Sequence, residues 1–535
     1  MTVGNDPMSI AVQGAALVSL VWSCAVFLVQ TIGISRLLRN HSPTRPKPVS
    51  PSLKHDETPH ITIIRPVKGV EVGLYDCLAS TFQVAYPKSK LTIHLCVSST
   101  DDPAYPLLQK LVADFPGFDA RVLVEEDDPL LHGTDGHVNN LGPNPKIRNM
   151  SRAYREAKGD LIWIVDCNVW VGAGSVGRMV DKLCGFGPDG VRTAPYKLVH
   201  QLPLVIDIEE PTAAEQRSLL SNETSKPRAP KGLLDHGGRL EEMFMSTTHA
   251  KFYSAINTVG IAPCIVGKSS MFRKSHLDAM TDPAQNPILS ASDAARGRGL
   301  DFFSSYICED HLIGDLTWRS AAPPSTAGPA FRNHGLVFGE VAIQPMSGMS
   351  AAAYVARRVR WLRVRKWTVL LATLVEPGIE PLLCSLHLSF ALTTLPWARD
   401  ALGLAPTWAA MAAVWAATVT AWMCLDRWFT GKMRRLESVE VDENTPAFAR
   451  GAGRQGGIKQ RPFLEWLAAW LGREVLALPI WTWAVLLGAT VNWRGKQFLV
   501  RMDMSVVEVG GSQPLASAPS VEDSRPNSRN KDRVD

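Results

Sequence analysis

Acidic residues stand at three places where the chain has just left an apolar run. Asp101 and Asp102 follow Leu91–Val97, Asp166 ends Leu161–Val165, and Glu309-Asp310 sits in "YICEDHLIGDL". A fourth feature is cationic: "RRVRW" at 357–361 sets Arg357, Arg360 and Trp361 within one helical turn. Carboxylates bind hard cations or accept protons, and arginines fork onto phosphates. Taken singly, each has a plainer explanation. Asp101-Asp102-Pro103 suits a turn, Glu309-Asp310 suits a helix cap, and the arginines suit a juxtamembrane belt. Asp166 is harder to dismiss, because a lone interior carboxylate is costly unless it is paired or metal-bound.

The elements that position these residues alternate between strand and helix. "ITIIRPV" (61–67), "LTIHLCV" (91–97) and Leu161–Val165 are apolar enough to be strands buried on both faces. A short strand is expected over Arg121–Val124, and helices over Leu74–Phe82 and Pro106–Asp114. Asn144 is a predicted N-cap with Pro145 at the first helical position, and Gly159 stops that helix before the next strand. Such alternation predicts a mostly parallel sheet covered on both faces, in which ligands sit beyond the carboxyl ends of the strands. Asp166 stands at such an end.

The chain has 535 residues, too many for one ordinary core. Met8–Ser35 is 28 residues without a charge, more than the ~20 a bilayer crossing needs. With Arg36 and Arg39 directly after it and no cleavage site, it reads as a signal anchor over 1–38. Three further spans are expected in a C-terminal region over 368–500: Thr368–Trp397, broken by "EPGIEP", then Leu402–Leu425 and Val475–Trp493. The basic residues after the first span place the middle of the chain in the cytosol. Arg494, Lys496 and Arg501 then fall on the wrong side, so one span does not cross or the count is wrong. Pro- and Ser-rich residues 39–58 read as a linker, 206–238 as an inserted loop, and 501–535 as a disordered tail. Nine cysteines without a C-x-x-C pair fit reduced thiols, and a net charge of +5 gives little support for nucleic-acid binding.

Taken together, the three acidic sites followed by R-x-x-R-W before membrane spans resemble the inverting sugar-nucleotide transferases. "RPVKGV", "CVSSTDDPA", "NPKIRNM", "DLIWIVDCNVWV", "CIVGKSSMFRK", "CEDHLIG" and "RRVRW" are most similar to the blocks of the ceramide glucosyltransferase family, in its order. The resemblance covers 61–367 and the flanking spans. It implies a GT-A-type, Rossmann-like α/β domain over 59–352, with transmembrane helices at both ends and an interfacial segment over 353–367. It implies a multi-pass protein of the Golgi or endoplasmic reticulum with its catalytic domain cytosolic.

The same resemblance assigns Asp101, Asp102, Lys68 and Lys146 to the nucleotide side and Asp166 to Mg²⁺ or Mn²⁺. Asp310 becomes the general base, completed by Arg357, Arg360 and Trp361, with His249 of "STTHAKFY" at the family's active-site histidine. Many related transferases carry Asp-x-Asp at the second site, where this chain has Asp166-Cys167-Asn168. The implied partners are UDP-glucose, ceramide and the bilayer, with a homo-oligomer left open. Competing readings are a sterol-directed or processive glycosyltransferase and a membrane protein that binds UDP-sugar without turnover. Few ionisable residues lie in the spans, which disfavours a transporter.

Overall fold

The computed structural model describes residues 7–133, 141–208, 236–323 and 330–509. Most of the expected loop at 206–238, and the tail from 510 onward, lie outside the described residues. The central sheet comprises β1 (Ile61–Pro66), β2 (Leu91–Val97), β3 (Asp119–Val124), β4 (Leu161–Val165), β5 (Tyr196–Asp207), β6 (Ser269–Arg273) and β7 (Arg332–Met346). Their order is β3-β2-β1-β4-β6-β5-β7. The alternating side chains of β1 and β4 divide between two cores. Ile61, Ile63, Leu161, Trp163 and Val165 face one; Ile64, Ile162 and Ile164 face the other. Each such apolar side chain contributes ~1.5–3 kcal/mol relative to leaving it exposed.

The sheet is parallel from β3 to β4, as expected, but β6 runs antiparallel to both β4 and β5. That inversion matters for the chemistry. Val165 is in register with Ser269, so the turn entering β6 is delivered to the carboxyl end of β4, beside Asp166. The segment at 39–58 is not a free tether. The Val49 and Ser50 amides donate to Asp181 at 2.6 and 2.8 Å, and Arg45 pairs with Glu440 at 2.9 Å.

The helices used below are α1 (Pro7–Asn40), α2 (Pro145–Arg155), α3 (Gly237–Phe244), α4 (Ala250–Val259), α5 (Glu309–Arg319), α6 (Ala351–Arg365), α7 (Pro381–Thr394), α8 (Trp408–Met433) and α9 (Phe463–Val485). Two stretches are long and apolar enough to cross a bilayer, Ile10–Asn40 and Trp408–Met433. Val18, Val21 and Phe27 of α1 and Trp408 of α8 are exposed, as side chains that meet lipid are. The two helices touch where Phe27 meets Trp422 edge-on at 5.9 Å, and α7 joins them through Ser23, whose hydroxyl donates to the Cys384 carbonyl. These apolar helices make the protein membrane-associated.

The last expected span is corrected. Val475–Trp493 is not one helix: α9 ends at Val485, and Thr490–Trp493 is strand β8 of a second sheet with β9 (Lys496–Val500) and β10 (Val506–Glu508). Both ends of α9 are bound to the transferase domain. At its start Glu465 pairs with Arg239 at 2.9 Å, and Arg461 pairs with Asp207 and Glu242. At its end the Trp483 and Val485 carbonyls accept from Arg363 and Lys366 of the α6 segment. Between these ends the helix packs on α8 through Trp466, Ala469 and Trp470. The second sheet returns Val491, Phe498 and Val506 onto Ile307, Cys308 and Val364, and the Val506 amide donates to the Ser305 carbonyl. Arg494, Lys496 and Arg501 thus belong to a sheet that packs against the transferase domain. Val506–Glu508 also corrects the expectation of disorder from residue 501.

Candidate active site

The site is built where β4, the turn before β6, and the starts of α2 and α5 converge. Asn144 caps α2 as expected, its side-chain oxygen accepting from the Lys146 and Ile147 amides at 2.8 and 3.2 Å. Its amide group donates in turn to Glu309 at 3.3 Å. This fixes Lys146 at the first turn of α2, where its ammonium bridges Asp166 at 2.9 Å and Glu309 at 3.0 Å. On the other side of Asp166, Lys268 reaches the second carboxylate oxygen at 2.9 Å and Asn168 at 3.3 Å. The adjacent Gly267 amide donates to Asp310 at 2.6 Å. One dipeptide, Gly267-Lys268, thus ties together Asp310 and Asp166.

The electrostatics follow from this packing. Burial by itself would raise the Asp166 pKa, but Lys146 and Lys268 outweigh it and hold the carboxyl well below the usual range. Burial would likewise lower Lys146, and Asp166, Glu309 and Asp310 instead push it up. Glu309 is raised by burial, opposed by Lys146. At neutral pH, Asp166 and Lys146 are fully charged. Asp310 is not a helix cap. The cap of α5 is Cys308, and the Asp310 side chain bonds across to Gly267, not back onto its own helix.

The other expected residues form a wider ring. Asp102 is buried between two turns, accepting from the Gly69 and Ala104 amides at 2.9 and 3.0 Å, with Lys68 at 3.9 Å. It joins the loops after β1 and β2, and Asp101 beside it is exposed. Arg357 pairs with Glu241 at 2.8 Å and lies over Trp361 at 4.7 Å. Arg360 makes no ion pair or hydrogen bond among the described residues, and burial followed by Arg357 lowers its pKa to about 10. It lies one turn before Val364, which packs on Ile307 and Cys308 just ahead of Glu309. His249 ends a π-helical turn, Met245–His249, stacked on Tyr253 at 5.2 Å with its Nδ1 unpartnered among the described residues. Burial, then Arg358 and Arg365, lowers its pKa to about 3, so the imidazole is neutral. Among the described residues no contact joins His249 to Asp166 or Asp310.

Sequence reasoning missed Lys268 and undervalued Glu309. A lysine 102 positions from Asp166 in the chain has no spacing signal; only the antiparallel path of β6 brings it there. Among the described residues, no group of three acidic, His or Cys side chains could enclose a metal ion. Asp166 is nonetheless a hard, ionised donor at a strand end. A single carboxylate of this kind suits Mg²⁺ or Mn²⁺ held mainly by a substrate's phosphates.

Comparison with known proteins agrees with the resemblance of the motif blocks. The family described as Glycosyl transferase family 21 matches residues 17–215 and 295–506. A ceramide glucosyltransferase of Pyricularia oryzae is 55% identical over 505 residues, covering 94% of this chain and 96% of that protein. Another, of Gibberella zeae, is 50% identical over 532 residues, covering 96% and 98%. Among solved structures, a mannosyltransferase from Pyrobaculum calidifontis in complex with GDP-Man and Mn²⁺ aligns with a TM-score of 0.38 at 15% identity. It spans 80% of this chain and 97% of that one. The chain belongs to glycosyl transferase family 21.

Proposed function

We propose that the chain transfers glucose from UDP-glucose to the primary hydroxyl of ceramide with inversion, giving β-glucosylceramide and UDP. The observation that carries this reading is the single group formed by Asp166 and Asp310, linked through Gly267-Lys268. Asp310 keeps one carboxylate oxygen beyond the Gly267 bond and takes the proton of the acceptor hydroxyl. The acceptor oxygen bonds to the anomeric carbon from the face opposite the diphosphate. The bond from that carbon to the β-phosphate oxygen breaks, and its electron pair leaves on UDP. Lys146, Lys268 and Arg360 supply positive charge where the negative charge gathers. Asp102 with Lys68 and Asp101 belongs to the nucleotide end, and Arg357, Trp361 and His249 shape the acceptor side. Mg²⁺ or Mn²⁺ would be held by Asp166 and the diphosphate oxygens, drawing off leaving-group charge.

The membrane geometry supports a lipid acceptor. α6 carries arginines and Trp361, the composition of a helix at headgroup level, and packs beside the residues that precede Glu309. In this reading the protein is a multi-pass protein of the Golgi or endoplasmic reticulum, with the transferase domain facing the cytosol. The test is direct: membranes containing the full chain are given labelled UDP-glucose, UDP-galactose or UDP-N-acetylglucosamine with ceramide or a sterol. Ceramide-dependent formation of a β-glucoside from UDP-glucose is the expected result. Transfer only to a sterol, or to a growing glycan, would overturn the reading.

A further inference from the structure

The hairpin after α9 carries a residue that its own fold does not call for. Trp493 pairs with Lys496, so Arg494 and Gly495 make the two-residue turn, with φ of 52° and 80°. Two successive left-handed residues form a type I′ turn, whose first place suits Asn, Asp or Gly. Arginine there holds a backbone region that L side chains rarely adopt, and a guanidinium adds nothing to the turn.

The surroundings indicate a use for it. The second sheet is seated on Ile307, Cys308 and Val364, between the residue before Glu309 and the turn of α6 that follows Arg360. Arg494 lies within electrostatic reach of Arg360 and of Cys167, the residue after Asp166. Arg494 lies over the Trp493 ring at 5.2 Å. Neither it nor Arg360 makes an ion pair or hydrogen bond among the described residues. Of the carboxylates nearby, Asp166 is taken by two lysines, Glu241 by Arg357 and Glu309 by Lys146, while Glu71 accepts from the Asn168 amide. Two guanidiniums that repel one another and make no direct ion pair with a carboxylate form a ready anion site.

We infer that Arg494, delivered by the C-terminal hairpin, completes with Arg360 a guanidinium pair that grips the diphosphate of the donor and of departing UDP. This rests on the nucleotide-sugar reading above. Together with Lys146 and Lys268, the pair supplies the positive charge that the diphosphate meets. As the bond to the anomeric carbon breaks, the pair stabilises the electron pair left on the β-phosphate oxygen. The hairpin is therefore part of the donor site, although it follows the last membrane-associated helix.

The experiment uses the full chain in detergent or membranes, with competition by UDP and UMP and thermal melting in parallel. Arg494→Asn keeps a residue suited to the turn while removing the cation. The expected result is an inhibition constant for UDP and a KM for UDP-glucose raised about tenfold or more, with UMP changed less than about threefold and melting unchanged or higher. Arg494→Lys should recover part of the loss. UDP and UDP-glucose constants within about twofold of the parent would make Arg494 a turn residue only and overturn the proposal. So would unfolding of both Arg494→Asn and Arg494→Gly, since the side chain would then serve the fold. Glucose transfer to ceramide by the unaltered chain is measured in the same preparations. Its absence would count against the proposed function, whereas direct binding of labelled UDP to the same preparations, displaced by unlabelled UDP or UMP, still reports on Arg494.

Discussion

At the scale of single residues, the site depends on how charge is shared between two carboxylates and two lysines. Asp166 has both oxygens engaged by ammonium groups. Its folded-state pKa lies below the unfolded value of ~3.9, so its stabilising contribution is present above about pH 4 and lost as pH falls further. Asp166→Asn leaves Lys146 and Lys268 without that partner. The variant should melt well below the parent at pH 7, lose UDP-glucose transfer by two or more orders of magnitude, and bind UDP less tightly in an inhibition assay. His249 gives a second, independent test. Its folded pKa of about 3 lies below the ordinary 6.5, so the neutral form stabilises the fold above 6.5 and that contribution fades as pH falls. Between pH 7 and pH 5 the loss is about 2 kcal/mol. Thermal melts should therefore drop less over that interval in His249→Gln than in the parent. Asp166, Asp310 and Asn144 were legible as residues because each stands at the end of an apolar or capped element. Lys268 was not, because nothing local marks a lysine that acts across the sheet.

At the scale of elements, local chemistry made the nucleotide half of the fold readable. β1, β2 and β4 fall where the apolar runs place them, and the Asn144-Pro145 start of α2 forms as expected. The helix after β1 ends at Ala79, short of the expected Phe82, because Phe82 turns into the core against Phe115 and Phe118. β6 was illegible in direction, since a short strand carries no mark of whether its neighbour is parallel. α9 misled for a related reason. Its apolar composition resembles a span, yet Arg473 is buried at its centre, paired with Glu380 at 3.3 Å, and its ends bond to the transferase domain. An N-glycosylation acceptor placed after Gly403, between α7 and α8, should be glycosylated in cells, and one appended to the C-terminus should not. Glycosylation of the C-terminal acceptor would mean that α9 crosses the bilayer.

At the scale of the whole molecule, apolar helices pack beside a transferase domain, and the second sheet returns onto that domain from the C-terminal side. α1, α7 and α8 pack together, α6 and α9 lie beside them, and the carboxylates sit behind α6. In the proposed function, this arrangement would let a lipid alcohol meet an aqueous-side donor without leaving the bilayer. The overall class was legible from composition and from the order of acidic and R-x-x-R-W blocks, whereas the closure by residues 490–508 required the three-dimensional path. The central claim is that Asp310 strips the ceramide hydroxyl of its proton while the donor is held elsewhere in the same cleft. The decisive measurement is the rate of glucosylceramide formation by Asp310→Asn at saturating UDP-glucose, in reconstituted membranes. A fall of ~10²- to 10⁴-fold with the UDP-glucose KM kept within about threefold is the predicted result. A variant that forms the lipid at the parent's rate would contradict it.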